Sequence, residues 1–353
     1  MQATPYSFFV QWHLTERCNL RCRHCYQVGT VPEMSWAEIR QAMENIKGAI
    51  ESWVTEWAME MSPSFHFTGG EPVLREDLFA VLDHARHCGF STALMSNGTL
   101  INADIARRIG ESQVSDVQIS LDGLEPIHDS IRGTGSFKHA LHGIEHLISQ
   151  GVATSINVTI SRLNVAQIDG LVQLAQAIGV NTVSLSRLVP CGSGRDLSGE
   201  MLTGEELRSL YRRMRQFQDT GKVAVASRDP LAMVADMDGE IPDTEFPVGG
   251  CAAGVFGVTI ASDGSIMPCR RMDLSIGNIR KQSFRELWAE SPVLWSLRER
   301  QYYHDGCESC RYWSVCRGCR AVALACSRAS GKEDYLGPDP QCPLLQASSA
   351  IST

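Results

Sequence analysis

Six short segments of strand character recur through the first 215 residues or so, each followed by a helical pattern: Phe8–Leu14, Ser64–Thr68, Ser91–Ser96, Asp116–Leu121, Ala153–Ile160 and Asn181–Ser186. Five helices separate them. The first begins at Ser35, where Glu38 three residues on completes a capping box, and it sets Ile39, Met43, Ile46 and Ile50 on one face. Others run from about Arg75 to Cys88, Phe137 to Gln150 and Asn164 to Ile178, each stopped by a glycine at 89, 151 or 179. A further helix starts at Thr203, with Glu206 as its box partner, and carries Leu207, Leu210, Tyr211 and Met214. Strands alternating with helices imply a parallel sheet, and six such units make an open or partial (β/α)6 barrel of the TIM type.

The alternation then stops. Asp236 to Gly250 is rich in Asp, Gly and Pro, and cysteines become dense beyond it, so the chain divides into a barrel at 7–215, a bridging segment at 216–249 and a cysteine-rich domain at 250–345. A chain of 353 residues, 43% of them hydrophobic, can bury a barrel-sized core and still carry a smaller second domain. No run reaches the roughly 18 apolar residues of a membrane span, and Met1 to Tyr6 lacks the regions of a signal peptide. A cytoplasmic protein with no membrane partner is the expectation. The net charge of −8 argues against nucleic-acid binding. Cys269 to Lys332 nevertheless holds twelve of the 32 Lys and Arg residues. These either offset the charge of metal-bound thiolates, form a solvated face, or meet an anionic substrate. Thirteen cysteines without a secretion signal point to metal or redox chemistry in place of disulfides.

The first chemical motif, Cys18-Asn-Leu-Arg-Cys22-Arg-His24-Cys25, follows the first strand. Three thiolates on one loop can grip three corners of a [4Fe-4S] cube and leave the fourth iron open to a small molecule. In isolation the same loop also suits zinc. The other strand ends bear on the choice. Thr68-Gly69-Gly70-Glu71-Pro72 follows the second strand, and its two glycines admit close backbone approach while Glu71 can accept from an amino group. Ser96-Asn97-Gly98 follows the third. The fourth ends at Ser120-Leu121-Asp122-Gly123, a hydroxyl and a carboxylate suited to ribose, with Arg132 nearby as a carboxylate partner. The fifth places Asn157 and Thr159 on one face, and the sixth ends at Ser186-Arg187. Polar clusters at the C-terminal ends of successive strands mark the edge where barrel enzymes build active sites.

These motifs, in type, order and position, resemble the radical S-adenosylmethionine (SAM) superfamily over roughly residues 7 to 215. The resemblance implies that Cys18, Cys22 and Cys25 hold a catalytic [4Fe-4S] cluster whose open iron is chelated by SAM. It implies that Gly69, Gly70 and Glu71 hold the methionine amino end, that Ser120, Asp122 and Asn157 contact ribose or carboxylate, and that Ser96, Asn97 and Arg132 complete the cofactor site. His24 stands where the family most often has an aromatic ring, at a position that mainly offers backbone to the adenine. Reductive cleavage of SAM to a 5′-deoxyadenosyl radical, fed by a flavodoxin- or ferredoxin-type donor, is the implied chemistry.

The second motif comprises Cys251, Gly264 with Cys269, Cys307-Glu-Ser-Cys310, Cys316-Arg-Gly-Cys319 and Cys342. Seven cysteines exceed one tetrahedral site, so two metal centres are implied, with zinc ribbons as the structural alternative. The set resembles the SPASM domain over about 250 to 345. That resemblance implies an outer auxiliary cluster on Cys307, Cys310, Cys316 and Cys342 and an inner one on Cys251, Cys269 and Cys319, which lacks a fourth cysteine. Of the remaining thiols, Cys88 reads as core packing, Cys191 follows the sixth strand at the active-site end as a candidate ligand or reactive thiol, and Cys326, seven residues past Cys319, is an alternative to it.

Relatives of this two-part build mature peptides or proteins, and others act on tetrapyrrole propionates. Sulfatase maturases carry an acidic base after the cysteine matching Cys269, where this chain has Arg270, so sulfatase activation is disfavoured. Arg270 and Arg271 suit carboxylates of an acidic peptide or a propionate. A peptide or protein substrate is the first expectation, weakened by the short stretch before the cysteine loop, which leaves no room for a leader-binding domain. A tetrapyrrole is the alternative, and a zinc-binding interaction module the least favoured.

Overall fold

The computed structural model describes residues 5–345 apart from 28, 30, 221–222, 235–240 and 243. Residues 236–240 and 243 of the expected boundary, and 1–4 of the chain start, therefore lie outside the described residues. Six parallel strands form the first part: β1 (Tyr6–His13), β2 (Met61–Thr68), β3 (Ser91–Ser96), β4 (Asp116–Ser120), β5 (Thr154–Ile160) and β6 (Thr182–Arg187). Each matches an expected strand to within three residues at either end. The helices are α1 (Trp36–Trp57), α2 (Leu78–His87), α3 (Ala103–Glu111), α4 (Glu125–Arg132), α5 (Ser136–Ser149), α6 (Ile168–Ile178) and α7 (Gly204–Thr220). The Ser35–Glu38 capping box forms on α1, and Thr203 and Glu206 cap α7 in the same way. Helix α4 has no counterpart in the sequence reading, because eight residues opening on Glu-Pro carry little helical periodicity.

The sheet does not end where the repeat does. Residues 224–227 of the bridging segment form β7 beside β6, and 230–234 form the short helix α8. The cysteine-rich region adds β8 (Gly257–Ile260), which pairs parallel with β1, then β9 (Ser265–Met267) and β10 (Gly277–Asn278) antiparallel beyond it. One ten-stranded sheet in the order β10-β9-β8-β1-β2-β3-β4-β5-β6-β7 results, and its two ends do not meet, so the barrel is partial. The two parts are also joined by packing. Phe8 of β1 meets Trp288 of α9 (Phe284–Glu290) edge-on at 5.0 Å, and Trp53 of α1 packs on both Phe284 and Trp288. Helices α10 (Pro292–Arg298) and α11 (Arg320–Ala329) complete the cysteine-rich domain.

Strand alternation assigns the two faces of the sheet. Phe8, Val10 and Trp12 of β1, Val117 and Ile119 of β4, Ile156 and Val158 of β5, and Val183 and Leu185 of β6 are all buried in the core. Their neighbours Gln11, Gln118, Asn157, Thr159 and Ser186 instead line a cavity inside the barrel. A period of two on each strand thus yields an apolar outer face under the helices and a polar inner face.

His13 and His128 are buried, and burial holds their imidazoles down, to about 3 and about 4 respectively. Between those values and the ordinary 6.5 the unfolded chain takes up a proton that the folded chain refuses, so stability from these groups is complete above 6.5 and lost as pH falls. Replacing His13 with Phe should flatten the pH dependence of the unfolding midpoint between pH 4 and 6.5 by about one proton, roughly 1.4 kcal/mol per pH unit. A variant whose slope equals that of the parent over this window would refute the assignment.

Candidate functional site

The cysteine loop is held over the strand ends by backbone pairing that outlasts the strands. Leu14 N–H donates to Thr68 O, Gly70 N–H to Thr15 O and Glu71 N–H to Arg17 O, each at 2.8 Å. The chain from β1 therefore stays on the chain from β2 until one residue before Cys18. Gly69 has φ +150°, and a methyl group on Gly69 or Gly70 would fall inside contact distance of the carbonyls of Thr15 and Arg17. Only glycine fits this approach.

The loop delivers Cys18, Cys22 and Cys25 to one wall of a cavity of about 750 Å3. Asn97 Nδ2 lies 3.9 Å from Cys18 Sγ, Leu20 N–H donates to it at 3.4 Å, and Arg132 Nη1 lies 3.8 Å from Cys22 Sγ. A single tetrahedral zinc would draw its sulfurs to about 3.8 Å from one another. Among the described residues no three cysteine sulfurs lie within 4.8 Å of one another, so neither this loop nor the C-terminal set has that geometry. A wider group such as an iron-sulfur cube fits three thiols held on one loop at the cavity wall.

His24, Gly69, Gly70, Ser96, Asn97, Ser120, Arg132 and Asn157 line the same cavity. Glu71 and Asp122 do not. Both are fully buried behind the wall, with protein partners. Glu71 accepts from Ser96 Oγ and Asn97 N–H, each at 2.8 Å, and from Val73 N–H at 3.3 Å. Burial outweighs these bonds and lifts its carboxyl to about 7. Asp122 accepts from Arg132 Nε at 2.5 Å and Thr159 N–H at 2.8 Å, and pairs with His24 Nε2 at 2.7 Å. Burial alone would raise its carboxyl, but Arg132 and His24 hold it well below the usual carboxylate range. In this structure, then, Glu71 fixes the Ser96–Asn97 turn and Asp122 fixes His24 and Arg132. The His24 ring, given no role by the sequence reading, is the loop's link to Asp122.

The C-terminal thiols form two groups. Cys310 and Cys342 lie within electrostatic reach of each other and of both Cys307 and Cys316. Cys251, Cys269 and Cys319 pack on a second buried cluster around Met272 and Val322, and Cys191 and Cys326 both join them there. Arg271 is half-buried beside Cys269, Cys319 and Cys191, whose sulfurs offset the cost that burial imposes on its charge. Cys326 lies seven residues from Cys319 on α11, about 10.5 Å along the axis at a helical rise of roughly 1.5 Å, so the two do not occupy one corner.

Two arginines of the locally basic region, Arg317 and Arg320, are buried, as is Arg187 of β6, while Arg280, Arg285 and Arg311 are exposed. Arg317 donates to Gly249 O and Cys251 O, Arg320 to Tyr335 O and Gly337 O, and Arg187 pairs with Asp339 at 2.7 Å and with Asp229. Sequence reasoning missed Gln11, Met95 and Gln118 in the cavity wall, although strand alternation carried that signal. It also missed Asn164, whose amide ties Asp122 O at 2.8 Å to Thr159 O at 2.9 Å.

The radical SAM superfamily profile matches residues 12–175, and the SPASM profile, an iron-sulfur cluster-binding domain, matches 251–320. An AdoMet-dependent heme synthase of Methanosarcina barkeri is 31% identical over 94% of this chain and 95% of that protein. The chain belongs to the radical SAM superfamily.

This radical SAM enzyme thus uses SAM and a [4Fe-4S] cluster, with auxiliary iron-sulfur centres in its SPASM domain. A mycofactocin maturase of Mycobacterium tuberculosis is 29% identical over 94% of this chain and 81% of the relative. The Streptococcus suis SuiB structure bound to S-adenosylmethionine has the same fold, with a TM-score of 0.76 at 18% identity over 96% of this chain and 77% of that one. Among the described residues no helix is long and apolar enough to cross a membrane.

Gly70 tests the support beneath the cysteine loop. Gly70→Ala should displace residues 15–17 and leave the anaerobically purified enzyme about four iron atoms short, with SAM cleavage lost and the SPASM clusters retained. Unchanged iron content and cleavage would show that the loop tolerates the methyl group.

Proposed function

We propose that the substrate of this radical SAM enzyme is a tetrapyrrole whose propionate side chains undergo oxidative decarboxylation. The carrying observation is in the cavity wall, where Arg270 and Arg271 stand beside a single lining carboxylate, Glu16, while Arg17, Arg132 and Arg187 of the same wall are already paired with Glu33, with Asp122, and with Asp229 and Asp339. Arg270 sits 3.6 Å from Glu16, yet its Nε and Glu16 Oε2 are buried with no partner among the described residues. An unpaired buried guanidinium N–H is costly alone and suits an incoming carboxylate. The heme synthase relative, matched over nearly its whole length, supports the same class.

SAM at the catalytic cluster supplies a hydrogen-abstracting 5′-deoxyadenosyl radical. This chain's side chains bind and aim the substrate: Arg270 holds a carboxylate, and the polar strand faces leave the barrel interior open to it. A propionate that loses a hydrogen atom, carbon dioxide and one electron becomes a vinyl group, so the chemistry calls for an electron acceptor, and iron-sulfur groups in the SPASM domain are of that type. For the cofactor we propose Cys18, Cys22 and Cys25 as cluster ligands, with Gly69, Gly70, Ser96, Asn97, Ser120, Arg132 and Asn157 around SAM. Cys307, Cys310, Cys316 and Cys342 would hold the outer cluster. Cys251, Cys269, Cys319 and, as the missing fourth, Cys191 would hold the inner one. A peptide substrate, the first expectation from sequence, is the second reading, favoured by the mycofactocin maturase relative.

A propionate-bearing iron porphyrin should bind the anaerobic enzyme saturably, shift its Soret band and stimulate release of 5′-deoxyadenosine. Arg270→Ala should weaken that binding about tenfold to a hundredfold, the loss of one charge-assisted hydrogen bond. No saturable binding, or turnover stimulated only by a peptide, would overturn the tetrapyrrole reading.

Cys191→Ser should alter the EPR spectrum of one reduced auxiliary cluster or lower iron by up to about four atoms, while the SAM-responsive signal stays in place. An unchanged spectrum with full iron would remove Cys191 from the ligand set.

A further inference from the structure

On the outer face of the barrel, far in sequence from every cysteine assigned above, three side chains from two helices converge. Glu44 comes from α1, His84 from α2, and Cys88 caps the C-terminal end of α2. His84 and Cys88 are four residues apart and therefore share one helical face. Their ligand atoms form a small triangle: His84 Nε2 to Glu44 Oε1 is 3.3 Å, Cys88 Sγ to Glu44 Oε1 is 3.6 Å, and Cys88 Sγ to His84 Nε2 is 3.6 Å.

Those lengths can be set against a coordination polyhedron. With bonds of about 2.3 Å to sulfur and about 2.05 Å to nitrogen and oxygen, a tetrahedral zinc has edges of about 3.6 Å from sulfur to either lighter atom and about 3.3 Å between the lighter atoms. All three edges agree. Among the described residues this is the one set of three potential metal-ligating side chains whose ligand atoms lie within 4.8 Å of one another.

The surroundings favour a cation. The Trp36 ring meets His84 edge-on at 5.5 Å and limits its rotation. Lys47, the neighbouring positive charge, is engaged by Glu51 at 2.8 Å. Glu44 is 54% exposed and His84 20%, which leaves an approach from solvent and room for water as the fourth ligand.

We propose that Glu44, His84 and Cys88 form a zinc site that staples α1 to α2, separate from the iron-sulfur machinery. Cys88 does pack in the hydrophobic core, as expected from the sequence, and the assignment adds a metal-ligating role to that; it is independent of the substrate. It also changes how metal analysis of this protein is read, because zinc found beside iron would not mean a zinc ribbon in the SPASM domain.

The test uses anaerobically purified, iron-loaded enzyme exposed to a tenfold excess of zinc and then desalted. The parent should retain about one zinc per chain, with a zinc-edge X-ray absorption spectrum fitted by one sulfur at about 2.3 Å and three nitrogen or oxygen atoms near 2.0 Å. His84→Ala and the surface variant Glu44→Gln should reduce retained zinc at least tenfold, while iron content and cluster absorbance stay at parental values. Failure of the parent to retain zinc would overturn the proposal. So would equal retention in both variants, or a spectrum of four sulfurs, which would put the metal in the cysteine-rich domain and leave His84 and Glu44 a simple ion pair.

Discussion

The contact on which the rest of this site depends is the approach of Gly69 and Gly70 to the backbone of residues 15–17. A parallel pair of strands normally parts company at its ends, yet here β1 and β2 keep exchanging hydrogen bonds until the residue before Cys18. Two carbonyls stand where Cβ atoms would be, so the glycines are fixed by the protein before any ligand is considered. Glu71 continues the same logic. Its amide holds Arg17 and its carboxylate holds the Ser96–Asn97 turn, whose Asn97 side chain reaches the Cys18 sulfur. A motif that reads as a ligand cradle is, in the folded chain, also the shelf on which the cluster loop rests.

Asp122 does for the far end of the loop what Glu71 does for the near end. Buried with Arg132, it forms an ion pair that costs desolvation and is justified by geometry, since removing either partner would leave a buried charge unmatched. His24 Nε2 shares the same carboxylate oxygen, so the stretch between Cys22 and Cys25 is tied to the end of β4. The SPASM domain uses buried arginines in a related way. Arg317 holds the carbonyls of Gly249 and Cys251, Arg320 those of Tyr335 and Gly337, and the half-buried Arg271 lies among three thiols. Concentrated thiolate charge needs positive charge nearby in a low-dielectric interior, and the chain supplies it from the interior instead of from solvent.

The strands, the long helices and the cysteine loop were legible because each rests on a local signal: alternation, a capping box, a fixed spacing. The extension of the sheet was not. Val258 and Ile260 of β8 lie some 250 residues from the β1 residues they pair with, and a four-residue strand carries no periodicity to announce it. The depth of the two carboxylates at the site was not legible either. A carboxylate that meets ribose and one that accepts from three protein donors have the same letter, and Glu71 and Asp122 prove to be of the second kind in this structure. Cys191 is the converse case: the sequence offered it as a ligand or reactive thiol without a partner, because its neighbours Cys269 and Cys319 come from a different domain.

The Cys191 loop explains why the two domains need to be one body. Ser193 N–H donates to Cys25 O at 2.8 Å, and Gly192 packs so closely on Cys25 and Tyr26 that a side chain there would collide with their backbone. One residue earlier, the same loop reaches the inner thiol group and Arg271. The five residues from Val189 to Ser193 thus touch both the Cys18–Cys25 loop and the SPASM interior, while β8 on β1 fixes the opposite side of the junction. A hinge at the boundary would break both contacts. The shared sheet and the Phe8–Trp53–Trp288 packing oppose such a hinge, so the distance between the catalytic and inner thiol groups is set by the fold and not by domain closure. For chemistry in which a substrate must give up an electron after a hydrogen atom, a fixed separation between the two groups is the property the architecture secures.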